Sequence, residues 1–285
     1  MKNLKGKVAA ITGAASGIGR ALALNLADEG CHLAISDINV AGLQETADMA
    51  RAWNKTVRIT THQVDTANRE QVKQYAEDAA KAHGAVHLII NNAGVLLLET
   101  LEDVSYKDFE WIMGINLWGV IYGCKEFLPY LKKQDAAHIV NISSVNGIFT
   151  NPNNGPYCTA KYAVRGFTET LAQELADTRV KVACVHPGGI KTNIANNARF
   201  YKSCDPSLVR EDALAIFNKA MAGTSADKAA KIIIAGIKKN KMRIMVGTDA
   251  YVLDWLKRLF PVGFQKITGR KTAAAWMKKM AGLKS

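Results

Sequence analysis

Cysteine is scarce here, and what there is of it is not organised. Cys31, Cys124, Cys158, Cys184 and Cys204 are spread over 285 residues. No pair has metal-ligand spacing, and an odd, scattered set suggests no disulfide framework. The histidines form no HExxH arrangement, so no protein-bound catalytic metal is expected. Long hydrophobic runs are missing too, and no stretch reads as a bilayer span. The start, MKNLKGKVAAITGAASG, is basic, but its short apolar run meets a glycine-rich turn. It reads as a strand rather than a signal peptide. Together these features make the cytoplasm the expected compartment. Acidic residues are outnumbered, with 25 Asp and Glu against 37 Lys and Arg, a net charge of +12. Much of the surplus lies late, in Lys257, Arg258, Lys266, Arg270, Lys271, Lys278, Lys279 and Lys284. No reader motif for nucleic acid accompanies it. A solvated surface, an anionic substrate or a lipid surface are the readings left.

What the chain does have is a sizeable apolar content, 48%, enough for a substantial core. Short β-rich runs alternate with longer helical patterns. KVAAITG, CHLAISD, VRITTHQVD, VHLIINN, HIVNIS, RVKVACVH and MRIMVG read as seven strands. Their apolar runs are nearly continuous, as in a parallel sheet buried on both faces. Helices are expected from Ser16 to Glu29, from Arg69 to His83 with Gly84 as stop, and from Pro156 to Ala176. One long helix is expected from Ser105 to Leu131, opened by Ser105 and Asp108 in capping-box order. Alternation from the first residues predicts a doubly wound α/β domain over residues 1–248. Residues 249–285 form a basic extension. Within it, YVLDWLKRLFP is amphipathic, with Val252, Leu253, Leu256, Leu259 and Phe260 able to share a face. That face packs on the core or a partner subunit, or it touches lipid.

The first strand runs into TGAASGIG, Thr12 to Gly19. Glycine at 13, 17 and 19 permits a tight turn and close approach to a pyrophosphate, which the following helix N-terminus favours. The second strand ends in Asp37. A carboxylate there accepts hydrogen bonds from the adenosine ribose hydroxyls and repels a 2′-phosphate. Neither Ile38 nor Ser16 is basic, so NAD is expected rather than NADP. The third strand is expected to end in Asp65, within reach of an adenine amino group. Farther on, GPYCTAKYAV places Tyr157 and Lys161 four residues apart, on one helical face. Pro156 suits the first turn of that helix. A cation beside a phenol favours the phenolate and lowers its pKa. Cys158 and His186 read as packing residues.

Taken together, these motifs resemble the compact form of the short-chain dehydrogenase/reductase family, a Rossmann-type fold. The resemblance runs from about Leu4 to Gly247. TGAASGIG is similar to the family's glycine-rich turn, including Ser16 and Ile18. NNAG, with Asn92, Ala93 and Gly94, is similar to the segment that stabilises the central sheet and lines the adenosine side. Asn116 in GINLWG, Ser144 in NISSVNG, and Tyr157 and Lys161 in YCTAK fall where the family has its catalytic residues. Ser143 is the alternative serine, but the family's spacing to tyrosine favours Ser144. HPGGIKTN resembles the turn that holds the nicotinamide, through Pro187, Ile190 and Thr192.

The resemblance implies hydride transfer between NAD(H) and an alcohol, aldehyde or ketone. Tyr157 would act as general acid or base, and Lys161 would hold the nicotinamide ribose and lower the tyrosine pKa. Ser144 would bind the substrate oxygen. Asn116 would disturb its helix and hold a water joined to Lys161. A homodimer or homotetramer through the long helix and the Tyr157 helix is implied as well. Residues 193–223 correspond to a substrate cover. Phe200, Tyr201, Leu208, Val209, Leu214, Ile216 and Phe217, mixed with Arg199 and Arg210, fit a lipophilic substrate. Two rival readings are a dinucleotide-binding protein without turnover and a membrane-associated interaction protein.

Overall fold

The computed structural model describes residues 1–201, 211, 223–267 and 269. The first half runs β1 (Val8–Thr12), α1 (Gly17–Asp28), β2 (His32–Asp37), α2 (Val40–Trp53), β3 (Ile59–Gln63) and α3 (Arg69–His83). Then come β4 (Leu88–Asn91), β5 (Leu97–Leu98), α4 (Tyr106–Met113), a π-helical turn (Gly114–Trp118) and α5 (Gly119–Leu131). β6 (Ala137–Ile142), a 3₁₀ turn (Val145–Gly147), α6 (Gly155–Glu174) and β7 (Val180–Pro187) follow. β8 (Ile190–Lys191), β9 (Arg199–Phe200), β10 (Thr224–Ser225), α7 (Ala226–Lys238) and β11 (Arg243–Val246) precede the final helices. These are α8 (Thr248–Leu259) and α9 (Gly263–Ile267).

Seven strands form one parallel sheet in the order β11-β7-β6-β4-β1-β2-β3. The fold is the expected doubly wound, Rossmann-type one. Alternate residues of each strand feed opposite faces. Ala9, Ile11, Leu88 and Ile90 pack with Leu22, Leu26, Leu43 and Ile233, from α1, α2 and α7. Ala10 and Ile89 pack with Val72, Tyr75, Phe127 and Val164, from α3, α5 and α6. The chain leaves β1 toward β2 and β3, then crosses to β4 on the other side. The crevice beyond the carboxyl ends of β1 and β4 is where such a sheet binds its ligands.

Several boundaries have visible causes. Asn68 caps α3 by accepting from Gln71 N, and Gly84 ends it in the left-handed region at φ 77°. His83 and His87 stand four residues apart, but that glycine stops the helix between them. Among the described residues no group of three His, Cys, Asp or Glu side chains could hold a metal. α2 and α7 join the predicted helices; parallel neighbours cannot be connected without such crossovers. The long helix from Ser105 is three segments, because the π turn interrupts it. β3 stops at Gln63, two residues before the expected Asp65.

The predicted cover is described only in part. Arg199, Phe200 and Tyr201 are within it, whereas Leu208, Val209, Arg210, Leu214, Ile216 and Phe217 lie outside the described residues, as does Cys204. In the tail, Leu253 turns inward with Ala250 onto Val145, Ile148 and Met245. Val252, Leu256, Leu259 and Phe260 stay exposed, so the expected common face is divided between core and surface.

Two buried histidines set an acid limit. His138 and His186 are fully buried, and burial pushes both down to about 4. Both rings are therefore neutral in the folded protein near pH 7. The unfolded chain takes up these protons once pH drops below about 6.5. This stability is present above that pH and is lost as pH falls toward the folded value. By about pH 4.5 the loss is on the order of 2 kcal/mol per ring. Melting temperature is expected to drop steeply between pH 6.5 and 4.5. A flat profile across that window would contradict the burial argument.

Candidate active site

The crevice at the carboxyl ends of the strands is a cleft of about 510 Å³. That is within the usual range for small-molecule sites, roughly 300–1,000 Å³. Asp37 and Asp65 lie along it, and so do Ser144, Tyr157 and Lys161.

At the first strand, Gly13 and Gly17 adopt φ of 66° and 55°, which an L side chain resists. A Cβ on Gly13 would sit 2.7 Å from Ala93 Cα, and one on Gly19 only 2.0 Å from the Gly13 carbonyl oxygen. Gly13, Ser16, Gly17 and Ile18 line the cleft; Gly19 stands behind them and lets the turn close. Ser16 precedes α1 without a side-chain cap, and the first turn of α1 has no acid. Its N–H groups and positive dipole end are therefore available to an anion. The NNAG segment is tied to this turn. Thr12 Oγ1 accepts from Asn92 N at 3.0 Å and from Ala93 N at 3.1 Å. Asn92 Nδ2 donates to the Thr12 and Gly13 oxygens, both at 2.9 Å.

Asp37 braces the same turn. Its Oδ2 accepts from Ala15 N at 2.9 Å and its Oδ1 from Asn39 N at 3.0 Å. Asp65 accepts from Ala67 N at 2.9 Å and still lines the cleft, from a turn rather than a strand end. Lys161 is the one cation among the described residues lining the cleft. Arg20, nearby in sequence, is held by the Ala15 and Gly42 oxygens and Glu45.

α6 presents Tyr157 and Lys161 from successive turns, with Lys161 Nζ 5.6 Å from the phenol ring centroid. Lys161 is buried and donates to the Ile142 carbonyl oxygen at 2.9 Å. Ser143 turns from the cleft chemistry to the Lys161 carbonyl oxygen, to which it donates at 2.9 Å. Ser144 instead lies beside Tyr157 in the cleft and favours its ionised form. Asn146 N donates to the Ser144 Oγ at 3.1 Å, and His186 Nδ1 lies 3.0 Å from the Ser144 carbonyl oxygen. His186 thus supports the serine from below, in keeping with its structural reading.

Asn116 lies in the π turn, as the predicted helix disturbance requires. It is fully buried, and its amide clamps one residue. Nδ2 donates to Val95 O and Oδ1 accepts from Val95 N, both at 2.8 Å. Gly94, next to that clamp, allows close packing: a Cβ there would lie 3.3 Å from Asn116 Oδ1 and 3.6 Å from Lys161 Nζ.

The electrostatics correct one expectation. Tyr157 was expected to be acidified by Lys161. In the protein alone, burial pushes the phenol up to about 12, against a smaller pull from Ser144. Burial also brings the Lys161 ammonium down to about 8. Removing water from both groups outweighs what the ammonium does for the phenolate.

Pro187 ends β7, and Ile190 and Thr192 face the cleft beyond it. Sequence reasoning missed what fixes this loop. Gly189 N donates to Asp249 Oδ2 at 2.6 Å, and Thr224 N donates to Gly189 O at 3.0 Å. Asp249 opens α8, so the extension reaches the cleft wall. Its position after Gly247 at the foot of a helix was the available signal. Tyr157, Ile194 and Phe200 pack against an apolar cluster of Leu96, Leu98 and Ala198, and Leu96 and Ile194 also line the cleft. Arg199 does not charge it: its guanidinium stacks 3.6 Å over Trp111 and pairs with Asp108 at 2.7 Å.

Comparison with known proteins identifies the family. The short chain dehydrogenase family matches residues 7–201. The chain belongs to that family and is an oxidoreductase of it. It is 42% identical over 276 residues to the putative oxidoreductase SadH of Mycobacterium tuberculosis, covering 96% of this chain and 98% of SadH. It is 36% identical to a cyclohexanol dehydrogenase of an Acinetobacter species, over 65% of this chain and 74% of that enzyme. Among solved structures, a short-chain dehydrogenase/reductase from Burkholderia phymatum in complex with NAD superposes with a TM-score of 0.83 at 32% identity. That match covers 92% of this chain and 96% of the other.

Proposed function

We propose that this protein is an NAD(H)-dependent alcohol dehydrogenase or carbonyl reductase acting on lipophilic substrates. The observation that carries the reading is Tyr157 set beside Ser144, Lys161 and the apolar Leu96 and Ile194 in the cleft that also holds Asp37. Bound NAD(H) supplies or accepts the hydride. Gly13, Ser16, Gly17 and Ile18 would bind its pyrophosphate, with Gly19 closing the turn. Asp37 would take the adenosine ribose and Asp65 the adenine. Asn92, Ala93 and Gly94 would line the adenosine side. Pro187, Ile190 and Thr192 would fix the carboxamide. Lys161 and Tyr157 would hold the nicotinamide ribose.

Ser144 would hydrogen-bond the substrate oxygen and steady its developing charge. Tyr157 would donate a proton to that oxygen in reduction and take it in oxidation. Its raised pKa in the protein alone keeps the phenol protonated near pH 7, so the proton needed to turn the reduced carbonyl into an alcohol is on hand. Lys161 would support the phenolate left behind, and Asn116 would hold the backbone beside it through Val95. The names of two relatives, a cyclohexanol dehydrogenase and an NAD complex, support an alcohol substrate and this cofactor. An intact set of Asn116, Ser144, Tyr157 and Lys161 argues against a protein that only binds dinucleotide.

The test is turnover of alcohols and ketones of increasing chain length and ring size with each cofactor. Preference for NAD over NADP and for larger apolar substrates is expected. Binding of NADH without turnover of any of them would favour the non-catalytic reading. Asp37→Ser is expected to raise the NADP-to-NAD ratio of kcat/KM by about tenfold or more, since it removes a charge beside the 2′-position. An unchanged ratio would show that Asp37 serves the turn alone.

A homodimer or homotetramer, joined through α5 and α6, belongs to this reading. Trp118, half-exposed and tilted 30° against Tyr122 with ring centroids 5.8 Å apart, supports it, and sedimentation velocity tests it. The cytoplasm is the compartment we propose.

A further inference from the structure

The outward side of α8 is an exposed apolar face among the described residues. Tyr251, Val252, Trp255, Leu259, Phe260 and Val262 are each more than half exposed. The first four lie along one helical stripe, at spacings of three and four residues. Single exposed apolar residues need no explanation, but a contiguous stripe with two aromatics does. Core packing does not account for it, because α8 already meets the core through Ala250 and Leu253.

Charge identifies the occupant. Both carboxylates of α8 face the protein. Asp249 accepts from Gly189 N, and Asp254 accepts from Arg243 through two bonds at 2.6 and 3.0 Å. Asp254 is also the last acidic residue of the chain. Arg258 shares that single carboxylate with Arg243, and more than half of its side chain is open to water. Beyond it the sequence adds Lys266, Arg270, Lys271, Lys278, Lys279 and Lys284 with nothing to balance them. Along α8 and after it the sequence therefore carries an excess of cations, and of the described ones Arg258 and Lys266 are exposed. A second copy meeting the stripe face to face would bring these like charges together. An anionic bilayer surface offers apolar depth and complementary charge at once.

We propose that α8 is a docking helix for an anionic lipid surface. Its aromatic stripe lies among the headgroups, and Arg258 and Lys266 beside it meet lipid phosphates. No helix among the described residues is long and apolar enough to cross a membrane, so the contact is peripheral. Through Asp249 the same helix holds the Gly189 loop at the cleft wall.

Vesicle co-sedimentation of the full chain tests this without reading turnover. The protein is expected to pellet with phosphatidylcholine vesicles containing phosphatidylglycerol, at least about tenfold more than with phosphatidylcholine alone, and less as salt rises. Trp255→Glu with Leu259→Glu is expected to cut the pelleted fraction about tenfold while leaving circular dichroism and NADH binding unchanged. Both substituted side chains point to solvent, so the fold is not at stake. Wild type remaining in the supernatant with anionic vesicles overturns the proposal. So does a double variant that pellets like wild type. A double variant that instead loses a subunit contact by sedimentation velocity, while wild type ignores vesicles, assigns the face to a second copy and also overturns it.

Discussion

Tyr157→Phe is expected to lower kcat/KM by about a thousandfold, within the range typical of positioned acid–base groups. NADH affinity should stay within about twofold, because the ring remains and only one of many cofactor contacts is lost. The argument is geometric. The phenol is set in the cleft beside Ser144, with its ring packed on the apolar cluster of Leu96, Leu98 and Ala198. Phenylalanine keeps that packing and removes only the group that moves the proton. A variant with near-normal turnover would mean that another group, or water, does this work. Loss of cofactor binding together with turnover would mean that Tyr157 acts mainly through the cofactor site.

Gly19→Ala is expected to be among the most damaging single-methyl additions at the described glycines. The new carbon would lie 2.0 Å from the Gly13 carbonyl oxygen and 2.6 Å from Asn92 Nδ2. Neither neighbour is free to yield. Gly13 is itself held in the left-handed region, and Asn92 is fixed by its two bonds to the turn. Relief must therefore move the start of α1 or break the Asn92 pair. A cost of about 3 kcal/mol is expected. For a chain of this size that corresponds to a fall of roughly 6–12 °C in Tm. NADH affinity should drop by about tenfold or more, because the displaced turn is the one that meets the pyrophosphate. A variant with wild-type Tm and affinity would show that the turn has slack which these contacts do not reveal.

Much of this site was legible from residue order alone, for a physical reason. Gly13, Gly17 and Gly19 carry their meaning in backbone freedom, which is a property of the residue type. Tyr157 and Lys161 carry theirs in helical spacing. Asp37 stands where a strand must end. Near-continuous apolar runs gave the parallel sheet, since both its faces are covered. The π turn at Asn116 was reached only by family resemblance; GINLWG has no local pattern that demands it. Asp249 was missed because its partner, Gly189, is 60 residues away and contact across that distance is set by the fold. The pKa of Tyr157 was misjudged for a related reason. Spacing shows that a cation is near, whereas the loss of water around both groups depends on everything packed against them. The amphipathic tail was read correctly as amphipathic, but which of its apolar residues turned inward depended on where Val145 and Ile148 lie.

The central claim is that the Tyr157 phenol is the proton-transferring group and that its ionisation is tuned in the assembled site. The most direct measurement is the ultraviolet absorbance of tyrosinate against pH, wild type minus Tyr157→Phe, with and without oxidised cofactor. In the free protein the difference signal is expected to titrate near the burial-raised value of about 12. With NAD⁺ present it is expected to move down by about 2 units or more, since a positive ring beside the cleft then favours the phenolate. A signal that stays where it was when NAD⁺ saturates the protein would contradict the account.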